Sequence, residues 1–76
     1  MKKIEILGTG CPKCKKLYES ARTAVEETGV QAEVVKVEDI QEIVKRGVMM
    51  TPGLMIDGEL KSVGKVLSVT DIKKLL

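Results

Sequence analysis

The chain has 76 residues, of which 13 are basic and 11 acidic, giving a net charge of +2 with no histidine. Its charges are interspersed, Tyr18 is the only aromatic residue and Trp and Phe are absent. Both a basic patch and a stacking platform for bases are therefore missing, which excludes nucleic-acid binding as a function class. One domain, residues 1–76, is expected, with a small core of Ile, Leu, Val, Met and Ala, because a chain this short buries only about 60% of its unfolded surface.

In residues 2–7, Lys3 and Glu5 alternate with Ile4 and Ile6, which predicts a first strand with Glu5 on the solvent side. Glu5 also interrupts the apolar run a signal peptide needs, and no stretch approaches the roughly 20 apolar residues of a membrane span. No lipidation motif is present. A cytosolic protein without membrane association is the expectation.

After the Gly8-Thr9-Gly10 break come the only two cysteines, in Cys11-Pro12-Lys13-Cys14. Two cysteines three apart cannot build a multi-bridge framework, and in a reducing compartment such a pair is catalytic or metal-binding rather than structural. From Cys14 onward, Leu17, Tyr18, Ala21, Ala24 and Val25 repeat at helical spacing up to a stop at Gly29. Pro12 suits the first helical position, where its missing N–H costs nothing. Cys14 falls on the apolar stripe and is expected to be shielded, whereas Cys11 precedes the first turn and is expected at an exposed tip. Unpaired N–H groups and the dipole at a helix N-terminus lower a thiol's pKa from about 8.5 into a range of roughly 3.5 to 7.5. Lys13, Lys15 and Lys16 add positive potential there, or serve simply as a solvated helix face.

Ala32 to Val37 reads as a second strand, and Asp39 with Glu42 as a capping box before a short helix carrying Ile40, Ile43 and Val44, ended near Gly47. Thr51-Pro52-Gly53 precedes Leu54-Met55-Ile56, and Asp57-Gly58 joins that run to Leu60–Val63, a strong hairpin signal. Ser68 with Asp71 caps a last helix, Ile72–Leu76, whose Lys73 and Lys74 suit the end of a dipole. The order is βαβαββα, with the first βαβ unit parallel and right-handed. No repeat or linker is found.

Gly8-Thr9-Gly10-Cys11-Pro12-Lys13-Cys14 after the first strand, Thr51-Pro52-Gly53 before the third, the hairpin over residues 54–60 and this element order together resemble the thioredoxin/glutaredoxin superfamily. Within it, the chain is similar along essentially its whole length to the short archaeal and bacterial thioredoxin-like proteins described as glutaredoxin-like or redox-active disulfide proteins. The resemblance implies an α/β fold of glutaredoxin size, a four-stranded mixed sheet flanked by three helices. It also implies that the Thr51-Pro52 bond is cis and that its loop lies beside the dithiol. There Thr51, Pro52, Pro12 and Lys13 would meet a bound substrate strand, and Pro52 would keep strong metal ligands away from the thiols.

The activity implied is reduction of protein disulfides. The Cys11 thiolate attacks a substrate disulfide, and Cys14 then attacks Cys11 to release the reduced substrate and leave Cys11–Cys14 oxidised. Lys13, between the cysteines, would help set the potential. Thioredoxins carry a buried acid on the strand before the motif that moves a proton at the second cysteine; Glu5 stands at a comparable distance, although its alternation with Lys3 argues for solvent. Met49, Met50, Met55 and Leu54 flank the proline loop, where core packing is the expected role and contact of Met50 with partner proteins the alternative.

The chain departs from thioredoxins in having Gly10 in place of an aromatic residue before Cys11, and in Pro-Lys between the cysteines. It departs from glutathione-binding glutaredoxins in offering only Val63-Gly64-Lys65, Ser68 and Asp71 where those carry a Gly-Gly and acidic pair. A monomer without cofactor, recycled by a thioredoxin-reductase-type donor, is the resulting expectation, with a glutathione-linked glutaredoxin as one alternative. Another is a soft-metal carrier of the copper-chaperone type, built βαββαβ. Against it stand Pro12 in the loop, Thr9 where such carriers have Met, and the helical chemistry of residues 72–76. Zinc needs four ligands, so no metal site is expected within one chain, though a dimer would supply four thiolates for zinc or an iron–sulfur cluster. A non-catalytic interaction domain is the third reading.

Overall fold

A computed structural model describes all residues, Met1–Leu76. The elements follow the predicted order: β1 Lys2–Leu7, α1 Pro12–Thr28, β2 Ala32–Val37, α2 Ile40–Lys45, β3 Gly53–Ile56, β4 Glu59–Val63 and α3 Val69–Leu75. The four strands form one mixed sheet in the order β2-β1-β3-β4. β1 runs parallel to β2, pairing Ile4 with Val34 and Leu7 with Val37, and antiparallel to β3, pairing Glu5 with Met55 and Leu7 with Gly53. This is a thioredoxin-like α/β arrangement. No helix is long and apolar enough to cross a membrane.

Helices cover both faces of the sheet. Ile4 and Ile6 of β1, with Leu54 and Ile56 of β3, pack against Leu17, Ala21 and Ala24 of α1 and Ile72 of α3. On the other face Leu7 and Met55 pack with Ile43 of α2 and with Val48. This two-sided cover overturns the expectation that Glu5 faces solvent. Alternation separates the faces of a strand without saying that either is wet, and in a central strand flanked by helices both are dry. Glu5 is 5% exposed, on the α2 side with Leu7, and is the one buried charged residue. Its carboxylate accepts a hydrogen bond from the guanidinium of Arg46, the C-cap of α2. A buried carboxylate needs such a partner, because an unpaired charge in the interior is costly.

Pro12 takes the first position of α1, and Gly29 ends the helix in the left-handed region at φ 69°, its N–H donating to Val25 O. The predicted stripe holds, with Cys14, Leu17, Ala21 and Ala24 buried; Lys73 Nζ of α3, 2.6 Å from Glu27 Oε1, ties the two helices together. In α2 the capping box closes on one side only. Asp39 Oδ1 accepts from Gln41 N–H at 2.9 Å, while the Glu42 carboxylate turns to Lys45 and Arg46, at 3.8 and 3.9 Å. Of the three apolar residues expected to line this helix only Ile43 is buried, since six residues touch the sheet at one turn; Ile40 and Val44 face outward.

The hairpin turns at Asp57 (φ 51°) and Gly58 (φ 83°), two left-handed residues in succession as a type I′ turn requires. Asp57 is also tied to β1, its N–H donating to Lys3 O at 2.8 Å and its Oδ1 accepting from Lys3 N–H at 2.9 Å. Within the hairpin the register slips between Leu54, paired with Ser62, and Met55, paired with Leu60, so Lys61 forms a bulge. β2 and β4 are the outer strands, and both show charge to water: Glu33 and Lys36 on β2, Glu59 and Lys61 on β4. At α3, Ser68 Oγ accepts from Asp71 N–H at 3.1 Å.

Core packing of the methionines holds for Met55 but not for Met49 and Met50, which are 85% and 66% exposed. They lie between α2 and β3 in a segment that turns over the end of the sheet, so no helix or strand covers them.

Candidate active site

The cysteine loop leaves the sheet where β1 ends. Gly8 N–H donates to Val37 O at 2.9 Å, which fastens the start of the loop to the end of β2. Gly10, at φ 87°, adopts a left-handed turn that swings the chain into α1. Cys11 is the N-cap of that helix: its backbone is extended, its carbonyl accepts from Lys15 N–H at 3.0 Å, and its Sγ accepts from Cys14 N–H at 3.3 Å. The sulfur of Cys11 thus occupies the place of a capping oxygen, where a thiolate gains from both the hydrogen bond and the dipole.

Cys11 and Cys14 form a disulfide, with their Cα atoms 5.1 Å apart. They are unequal. Cys14 is 5% exposed on the inner stripe of α1, while Cys11 is only partly covered, and Pro12 and Lys13 beside it are exposed. The first turn of α1 contains no acid, although Lys13, Lys15 and Lys16 are all exposed there. Cations at a helix N-terminus oppose the dipole. Their placement does not serve the helix; it raises the positive potential around the sulfurs.

Gly8 sits under the disulfide, a role that reading it as a strand break had missed. A Cβ added there would overlap Cys14 Sγ and lie 3.1 Å from Cys14 Cβ and 3.8 Å from Thr51 Cβ. The same contacts show that the Thr51-Pro52 loop reaches the dithiol, and the Thr51-Pro52 peptide bond is cis. Pro52 is buried and its carbonyl accepts from Gly64 N–H at 2.8 Å, while Thr51 faces outward. Cys11, Cys14, Pro12, Lys13, Thr51 and Pro52 therefore gather at one end of the sheet. Glu5 belongs to the opposite layer, with Arg46.

A small cavity of about 60 Å³ opens beside Cys14, lined by Ile6, Gly8, Lys15, Lys36 and Glu38, with Gly10 at its rim. A Cβ on Gly10 would stand 3.4 Å from Glu38 Oε2. The Lys36 ammonium lies 4.4 Å from the centre of the Tyr18 ring, a cation–π contact that anchors its stem against α1. Neither Lys36 nor Glu38 stood out in the sequence, since both read as ordinary surface charges around a strand end.

Residues 2–76 match the sequence profile of the thioredoxin domain. Two archaeal proteins named thioredoxin are similar over nearly their whole lengths. That of Methanothermobacter thermautotrophicus is 47% identical over 76 residues, covering 100% of this chain and 99% of the relative. That of Methanocaldococcus jannaschii is 49% identical over 73 residues, covering 96% and 84%. A strand-to-helix disulfide beside a cis-proline loop, in a chain matched from end to end by this profile, places the protein in the thioredoxin domain family.

Proposed function

We propose that this thioredoxin-family thiol–disulfide oxidoreductase reduces the disulfides of other proteins through Cys11 as attacking thiolate and Cys14 as resolving thiol. The observation that carries the assignment is the inequality of the two sulfurs, one capping the helix near the surface and the other buried on its inner face. The Cys11 thiolate attacks one sulfur of the substrate disulfide, forming a mixed disulfide and expelling the first substrate thiolate. Cys14, deprotonated, then attacks Cys11 Sγ. The bond between Cys11 and substrate breaks, the second thiolate leaves, and the Cys11–Cys14 disulfide remains, two electrons having passed to the substrate.

The chain flanking the substrate disulfide is received between Pro12-Lys13 and the Thr51-Pro52 loop, with Met49 and Met50 as adaptable apolar contacts. Their exposure beside the loop supports this assignment. In the cytoplasm the oxidised pair is returned to the dithiol by a thioredoxin-reductase-type donor, and the protein works as a monomer without glutathione, metal or other cofactor. The copper-carrier alternative needs a βαββαβ order, whereas here α2 stands between β2 and β3.

The test is insulin-disulfide reduction together with equilibration of metal-free protein against dithiol buffers. A potential near or below about −200 mV is expected, with activity lost in Cys11→Ser and a trapped mixed disulfide in Cys14→Ser. Tight Cu(I) binding by a protein that reduces nothing would overturn the reading.

A further inference from the structure

Resting on this assignment, we propose that Glu38 is the proton acceptor for Cys14 in the resolving step, working through water in the cavity they share. Cys14 is buried and must lose a proton before it can attack, yet the buried acid of the sheet, Glu5, is turned to the α2 layer and held by Arg46. The cavity beside Cys14 is instead faced by Glu38, which directly follows β2. Its location is imposed by the backbone. The Gly8 N–H to Val37 O hydrogen bond draws the end of β2 against the cysteine loop, and the missing side chain of Gly10 leaves room for Glu38 Oε2 to close over it.

The cavity, at about 60 Å³, admits water, and Lys15, Lys36 and Glu38 in its otherwise apolar wall supply partners for it. One water then bridges thiol and carboxylate, the longest reach allowed to a general base. The other charged groups facing this space are Lys15 of α1 and Lys36 of β2, both cations, which stabilise the Cys14 thiolate once its proton has left. The bookkeeping closes within the step. The thiol proton passes to Glu38, the Cys14 sulfur bonds to Cys11 Sγ, the substrate thiolate departs with the electron pair of the broken S–S bond, and Glu38 returns its proton to solvent or to that thiolate.

A base and a mere charge have opposite signatures here. Removing a nearby negative charge favours the Cys14 thiolate and accelerates its attack, whereas removing a proton acceptor slows it. Reduced protein mixed with an equimolar aromatic disulfide, 5,5′-dithiobis(2-nitrobenzoate), releases two coloured thiolates in turn, the first by Cys11 attack and the second by Cys14 attack on the mixed disulfide. Stopped-flow absorbance yields the ratio of second rate to first. In Glu38→Gln that ratio should fall at least about tenfold at mildly acid to neutral pH, the lower end of what a general base contributes. The deficit should shrink as pH rises, because hydroxide then removes the thiol proton without Glu38, and Glu38→Asp should recover part of the loss. An unchanged or increased ratio in Glu38→Gln overturns the proposal while leaving the assigned activity intact. A first phase that survives Cys11→Ser overturns the activity itself, and the proposal with it.

Discussion

Replacing Arg46 with Leu strands the Glu5 carboxylate in the α2 layer, between the ladder positions of Met55 and Val35. The Glu5 side chain is 7% exposed and that of Arg46 30% exposed, so the carboxylate is largely cut off from water while the guanidinium keeps some access. Breaking a fully buried pair costs about 3–5 kcal/mol. Discounting for the solvent that screens Arg46, Arg46→Leu should cost about 2–3 kcal/mol. Glu5→Leu should cost less, about 1 kcal/mol, because Arg46 can turn outward and toward Glu42, 3.9 Å away. The double substitution Glu5→Leu/Arg46→Leu removes both charges and should return within about 1 kcal/mol of the wild type. Urea unfolding at neutral pH, followed by far-UV circular dichroism, reads these differences. With a slope near 1 kcal/mol/M, the Arg46→Leu midpoint falls by about 2–3 M. A loss below about 0.5 kcal/mol for Arg46→Leu, or a double variant that is simply the sum of the two singles, would refute the claim that Glu5 depends on Arg46.

Gly8→Ala should lower stability by about 1–3 kcal/mol and slow insulin reduction by an order of magnitude or more, because the new methyl displaces Cys14 Sγ; a fully active variant would mean that the loop yields freely. Asp57→Ala should cost about 1–2 kcal/mol in urea unfolding, through loss of the left-handed preference and of the bond to Lys3 N–H, whereas Asp57→Asn should retain most of the stability. The Lys61 ammonium, 2.7 Å from Glu59 Oε2, holds the Glu59 carboxyl below its ordinary value, so Lys61→Gln should raise the Glu59 midpoint in an NMR titration. The folded value being depressed, any stability from this pair is present above the unfolded carboxylate pKa and disappears as pH falls through the folded one; with both groups solvated, the pH dependence of unfolding should barely register the change.

Punctuation made much of this fold legible. Pro12 and Gly29 bound α1, Asp57-Gly58 turns the hairpin and Ser68 opens α3, each through a local conformational preference that tertiary contacts need not supply. The cysteine pair likewise marked its own place at the junction of strand and helix. What stayed hidden depended on neighbours far along the chain. Glu5 is buried because α2 covers the second face of β1, and Arg46, 41 residues away, is what makes that burial affordable. Met49 and Met50 have the composition of core and the position of surface. Gly8 and Glu38 acquire meaning only when β2 is laid beside the cysteine loop, a juxtaposition that no local pattern encodes.

The two rims of the sheet bear on how the molecule behaves in a crowded solution. An open sheet ends in rows of unpaired amides and carbonyls, a template on which another chain can polymerise. Here β2 places Glu33 and Lys36 along one rim, and β4 places Glu59, Lys61 and a bulge along the other. Strand-by-strand growth would have to bring these charges against an incoming backbone and straighten the bulge, so both rims resist fibre formation. The same resistance rejects an extended polypeptide that tries to add along the sheet, which leaves the loop end, where the sulfurs are, as the most hospitable landing place for an unfolded or oxidised chain.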